Sequence, residues 1–140
     1  MQALKRFLHL CKHERLLIFQ AVLAMYLIRL SLALFSLQTI HRLAVKITWR
    51  CDESLGADRI VWAVRSAARF VPGSTCLVQA FAAQSLLVRH GYRPLLMIGV
   101  AKNECNQFGA HSWVVCENEV LIGGQQMGNY TRLLELRSSA

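Results

Sequence analysis

Two residues of this 140-residue chain have the type and the setting for nucleophilic chemistry, Cys76 and His111. Cys76 follows Pro72-Gly73-Ser74-Thr75 and precedes the apolar run Leu77 to Val88. Pro-Gly signals a turn. Ser74 or Thr75 can then cap a helix whose first turn holds the thiol. Unpaired backbone N–H groups and the positive end of the helix dipole favour the thiolate, which is the nucleophile. His111 lies in Ala110-His111-Ser112-Trp113-Val114-Val115, a strand-like stretch, and is the natural base. A cysteine opening a helix, with a histidine on a following strand, is the layout of a cysteine nucleophile.

The other candidates are poorer. A free cysteine is commonly just a small buried hydrophobe, and neither Cys105 nor Cys116 opens a helix. Cys116 falls on the opposite strand face from His111. His9, His13 and His41 belong to the N-terminal segment, and His90 ends a helix. The imidazole of a Cys–His pair is usually oriented by a third group. A two-residue turn at Glu117-Asn118 would bring Gly124 opposite His111. A three-residue loop ending at Glu119 would bring Gln125 there instead. Neither is an acid, but the amide oxygen of Gln125 can accept from an imidazole. Glu117 and Glu119 read as solvated turn residues.

The elements that must position these groups follow from periodicity. Residues 1–50 contain no Gly and no Pro and read as an N-terminal helical annex. Within it, Leu16 to Leu37 would make a helix of about 33 Å, long enough to span a bilayer. Arg29 past its middle would cost roughly 2.5–3.5 kcal/mol near a bilayer centre. Gln20, Ser31 and Gln38 lie on the side opposite Arg29. Polar groups on two sides suit a helix packed among protein neighbours, so no membrane span is expected; a signal peptide fits poorly too. Ile47 to Ala57 reads as a linker. Asp58 should cap a helix to about Phe70, with Ile60, Val61, Val64, Ala67 and Ala68 as its apolar stripe. Arg59, Arg65 and Arg69 should be solvated or hold an acidic partner. The helix opened by Cys76 should end at Gly91, with Ala80 and Ala83 letting a sheet approach closely. Leu95–Val100 reads as a buried strand, Lys102–Gly109 as a polar loop, and Ala110–Cys116 and Val120–Gly123 as a hairpin. Helices followed by an antiparallel meander make the class α+β.

Composition narrows the function. Sixteen Lys and Arg against eight acids give a net charge of +8. Without an aromatic-interleaved basic patch, the expected partner is an acidic peptide or an anionic membrane surface rather than nucleic acid. Five scattered cysteines, with no CxxC, argue against a disulfide framework and against a zinc site. A reducing cytoplasm would keep a nucleophilic thiol free.

Taken together, Thr75-Cys76-Leu77-Val78-Gln79-Ala80, Leu86 to Gly91, Ile98-Gly99-Val100, Phe108 to Val114 and Leu121 to Gly124 closely resemble the lasso-peptide leader peptidases. These are transglutaminase-like cysteine proteases, the C-terminal half of the lasso-peptide B protein, often encoded alone. The resemblance covers about Asp58 to Leu134. It implies a transglutaminase/papain-like core over residues 58–134, beside the annex at 1–50. It implies that Cys76 is the nucleophile and His111 the base, in an enzyme removing the leader from a ribosomally made precursor. The family's usual third member is an acid on the strand after the histidine strand. Gly124 stands there, so a dyad, Gln125 or a backbone carbonyl must serve. The resemblance further implies a small leader-binding protein and an ATP-dependent lasso cyclase as partners. No cofactor or metal is expected, and no ATP motif occurs in this chain. Three alternatives stay open: acyl transfer to an amine on the same fold, a non-catalytic adaptor that only binds a leader, and a small membrane-anchored protein using Leu16–Leu37.

Overall fold

The long apolar run does not form one helix. In the computed structural model, which describes residues 8–47, 55–102, 104–124 and 130–137, helix α1 spans Lys12–Leu34 and α2 spans Leu37–Ile47. The break comes without Gly or Pro. Phe35 turns extended, at φ −131° and ψ 161°. Ser36 then restarts the helical ladder, its carbonyl accepting from the Ile40 N–H at 3.1 Å. The Ser36 and Thr39 hydroxyls meet at 2.9 Å in that first turn. Short hydroxyl side chains that bond the local backbone or one another favour helix starts over helix interiors.

Helix α1 has two apolar sides with different fates. Leu17, Ile18, Ala21, Met25 and Ile28 are buried in the core. Leu16, Phe19, Leu23, Leu27, Leu30 and Leu34 are exposed. By length, and by the mean hydropathy of 2.0 over an 18-residue window, α1 is long and apolar enough to cross a membrane. Each large side chain on its buried face stabilises the fold by about 1.5–3 kcal/mol. Against a typical net stability of about 5–15 kcal/mol, that face is a substantial part of the core.

Helix α3 (Ala57–Ala67) and helix α4 (Cys76–Arg89) complete the helical part. The α3 cap is Gly56, in extended conformation, and not Asp58, which sits inside the first turn. An acid there still favours the positive helix end. The helix also stops short of Phe70. Val71 precedes Pro72, and a residue before proline is pushed out of the α region, so the chain leaves the helix over 68–71. Ile60, Val61, Val64 and Ala67 are buried as the stripe requires.

Helix α4 is buried nearly all round, as a helix between two layers must be. Phe81, Ala80, Ala82, Ala83 and Leu87 are fully enclosed. Helices α1 and α3 pack on one side of it, and the sheet packs on the other. Its one buried amide, Gln84, donates to the carbonyl of Leu136 at 3.0 Å. That bond satisfies a polar group whose burial would otherwise be costly, and it ties α4 to the last strand.

The sheet is antiparallel, in the order β3-β2-β1-β4, built from β1 (Leu95–Lys102), β2 (Phe108–Cys116), β3 (Glu119–Ile122) and β4 (Thr131–Arg137). The class is therefore α+β, as the sequence implies. The loop after β1 is shorter than expected, because Lys102 and Phe108 are themselves paired. The Lys102 ammonium lies 5.4 Å from the Phe108 ring centroid, a cation–π contact. Strand β4 lies beyond the expected hairpin and flanks β1 on its other side. Glu117 and Asn118 form the two-residue hairpin turn, with φ of 51° and 66°, the left-handed pair such a turn needs. Both anticipated registers then occur. Cys116↔Glu119 and Val115↔Val120 follow the two-residue turn. A bulge shifts Val114 onto Ile122, which is the register of the longer loop.

Candidate active site

Thr75 is the α4 cap, its Oγ1 accepting from the Val78 N–H at 3.4 Å. Ser74 takes a different role, donating from its hydroxyl to the Ala68 carbonyl at 3.1 Å. Cys76 is consequently the first residue of the helix, half-buried and free. Its own N–H has no intrahelical acceptor and faces the same end of the helix as the thiol.

The turn before Cys76 is held from a distance. Gly73 adopts φ +69°, a conformation glycine takes without steric cost. Arg29, midway along the apolar helix α1, donates from Nη1 to the carbonyl of Pro72. The one cation in that apolar run thus has a structural partner in the turn that aims the thiol.

His111 stands on β2, beyond the last β2–β3 pair. Its Nε2 lies 2.8 Å from the carbonyl oxygen of Gly123. A carbonyl can only accept, so Nε2 carries a proton, and in the neutral imidazole Nδ1 then holds the lone pair. The Tyr130 ring lies 5.2 Å from the imidazole and the Trp113 ring 6.2 Å from it. Trp113 shares its strand face with His111 by alternation. Gly123 is suited to this place: it has φ +80°, and a Cβ there would lie 2.6 Å from the Ser112 carbonyl oxygen.

Cys76 and His111 line one cleft of about 560 Å³ together with Arg65, Gln79, Ile122, Gly124 and Tyr130. The thiol and the imidazole share this space without a hydrogen bond between them among the described contacts. Catalytic hydrogen bonds are often long before substrate binds. Gln79, one turn after Cys76, donates its side-chain amide to the Ser74 carbonyl at 3.3 Å and has a second N–H for the cleft. Gln125 lies outside the described residues. Among these, no group of three or more His, Cys, Asp or Glu is placed to hold a metal ion.

The other described cysteines are placed otherwise, and Cys51 lies outside the described residues. Cys11 and Cys105 are exposed and Cys116 is buried. Burial pushes the Cys116 thiol up, a backbone hydrogen bond at Arg93 opposes this in part, and the Glu117 carboxylate adds a lesser upward push. A thiol held protonated is a poor nucleophile.

Gln79, Gly123 and Tyr130 line the cleft without a side-chain role assigned from the sequence, and Arg65, expected to be solvated or to hold an acidic partner, joins them. Gln79 was legible in principle, since i and i+3 share a helix face. Gly123, Arg65 and Tyr130 reach the cleft through the packing of α3, β3 and the segment before β4, which no local pattern reveals. The three arginines expected on helix α3 also separate. Arg59 pairs with Glu14 at 3.4 Å on the surface, Arg65 lines the cleft, and Arg69 is exposed outside it.

No curated protein and no solved structure matches the chain. A family model described as the transglutaminase-like superfamily matches residues 22–135. Members of that superfamily are often cysteine-dependent enzymes. The match takes in most of α1 as well as the helix–sheet unit carrying Cys76 and His111, and the chain belongs to the transglutaminase-like superfamily.

Proposed function

We propose that this protein is a cysteine peptidase that removes the leader from a ribosomally made lasso-peptide precursor. The observation that carries the reading is the shared cleft of a helix-opening thiol and an imidazole whose Nε2–H is engaged by a backbone carbonyl. With that tautomer, Nδ1 is free to take the thiol proton. Substrate binding brings the two groups into contact, and the thiolate then attacks the scissile carbonyl. The developing oxyanion receives the Cys76 N–H at the helix start, where the dipole also favours negative charge. Collapse releases the amine side of the peptide, protonated by the imidazolium, and leaves a thioester on Cys76. Water, activated by the same imidazole, hydrolyses the thioester and releases the acid.

The proposed setting is the cytoplasm. The partners are a small leader-binding protein and an ATP-dependent lasso cyclase. The sequence motifs around Cys76 and His111 support the leader-peptidase reading over general acyl transfer.

The test is cleavage of a precursor followed by mass spectrometry. Cys76→Ala should abolish the product, and His111→Ala should slow it by at least about 10²-fold. Cys105→Ala and Cys116→Ala should retain most activity. Cleavage by Cys76→Ala at the wild-type rate would refute the assignment. Transfer to an added amine in place of hydrolysis would favour the acyltransferase.

A further inference from the structure

Among the described residues, Arg65 is the one charged residue lining the cleft that holds Cys76 and His111. It comes from the last turn of α3, and its Nη2 donates to the carbonyl of Leu121 on β3 at 3.2 Å. Arg65 is otherwise exposed, and that bond tethers the guanidinium through a neutral acceptor with one of its five N–H donors. Among the described residues the salt bridges are Arg59–Glu14 and Arg137–Glu135, so no described acid neutralises Arg65. Among the described residues the cleft lining contains no carboxylate. A guanidinium with donors left over, on the wall of the cleft that holds the thiol, suits planar, two-point recognition of a carboxylate.

We propose that Arg65 binds a carboxylate of the substrate next to the bond attacked by Cys76. The inference rests on the peptidase reading for the identity of the substrate, but not for the existence of the site. The carboxylate has two possible sources with the same chemistry: an acidic side chain flanking the scissile bond, or the α-carboxylate at a peptide terminus. Arg69, one turn further on, lies outside the cleft and takes no part.

The test uses alkylation of Cys76, in which the sulfur displaces iodide, a C–S bond forms and a C–I bond breaks. Rates for iodoacetate and iodoacetamide are measured on the intact protein by peptide mass spectrometry, with N-acetylcysteine amide as the reference thiol. The iodoacetate-to-iodoacetamide rate ratio at Cys76 should exceed that of the reference by about fivefold or more, and should shrink as salt is raised. Arg65→Gln should bring the ratio to the reference value, Arg65→Lys should keep part of it, and Arg69→Gln should leave it unchanged.

A second arm identifies the source. N-acetylglutamic acid amide carries only the side-chain carboxylate, N-acetylglutamine only the α-carboxylate, and N-acetylglutamine amide neither. Whichever acid protects Cys76 from iodoacetamide better than the neutral compound is the source. A wild-type ratio no higher than the reference overturns the proposal, as does equal protection by all three compounds or an equal loss with Arg69→Gln. The peptidase reading fails separately, through precursor that Cys76→Ala still cleaves.

Discussion

His111 donates its Nε2–H to the carbonyl oxygen of Gly123 across 2.8 Å. A backbone carbonyl thereby orients the imidazole in the place where a side-chain acid would otherwise be sought. It fixes the tautomer as a carboxylate would, but brings no full negative charge to the imidazolium that forms during reaction.

Gly123→Ala follows from this contact. The added methyl would press on the Ser112 carbonyl at 2.6 Å, at a φ of +80° that L residues rarely adopt. Strain of this kind costs about 1–3 kcal/mol, and relieving it moves the carbonyl away from His111. Turnover should fall about tenfold or more with little change in KM, while Gln125→Ala should do less. Steady-state kinetics beside a thermal melt decides the matter: a lower Tm with unchanged turnover would make Gly123 purely structural.

Arg29 holds the turn before the nucleophile through the Pro72 carbonyl. Arg29→Leu keeps the apolar character of α1 and removes the tether. The variant should lose several-fold in kcat/KM, since small misplacements of a reacting group are costly. Backbone amide exchange over residues 73–78 should quicken. Unchanged exchange there would mean the turn holds itself.

Partner dependence tests the exposed side of α1. Ordering a leader costs about 1–2 kcal/mol of backbone entropy per residue, which a small cleft alone does not offset. A leader-binding protein seated on Leu23 and Leu27, which are 50% and 56% exposed, would raise the effective concentration of the scissile bond. Adding that protein should lower the apparent KM for precursor, and the double variant Leu23→Glu, Leu27→Glu should lose this gain while keeping the partner-free rate. Equal rates with and without the partner, well below KM, would refute it.

Acid should weaken the fold through His41. Burial lowers its pKa below the ordinary imidazole value, and its Nε2 is enclosed without a hydrogen-bond partner among the described residues. The unfolded chain takes up this proton near pH 6.5, whereas the folded protein does so only at lower pH. The unfolded state therefore binds more protons in that window, so the contribution is complete above about pH 6.5 and is lost as pH falls below it. Thermal melts from neutral pH to about pH 5.5 should show a steeper loss of Tm in the wild type than in His41→Leu. Parallel slopes would clear His41.

The parts whose signals are local could be read from the order of residues alone. Pro72-Gly73, a hydroxyl cap and a glycine stop define α4 and put Cys76 at its first position, because cap geometry depends on neighbours within four residues. The α+β order and the hairpin turn at Glu117-Asn118 were legible for the same reason. Tertiary structure decided the rest. The break at Phe35 carries no Gly or Pro, so composition could not show it. The bulge at Val114/Val115 joined two registers that looked exclusive, and the chain beyond it brought the Gly123 carbonyl to His111. The same packing gave Arg29, Arg65 and Tyr130 their places, between elements 40 or more residues apart in the case of Arg29 and Pro72. Contacts of that range are set by which faces bury together, and no local pattern of residues encodes them.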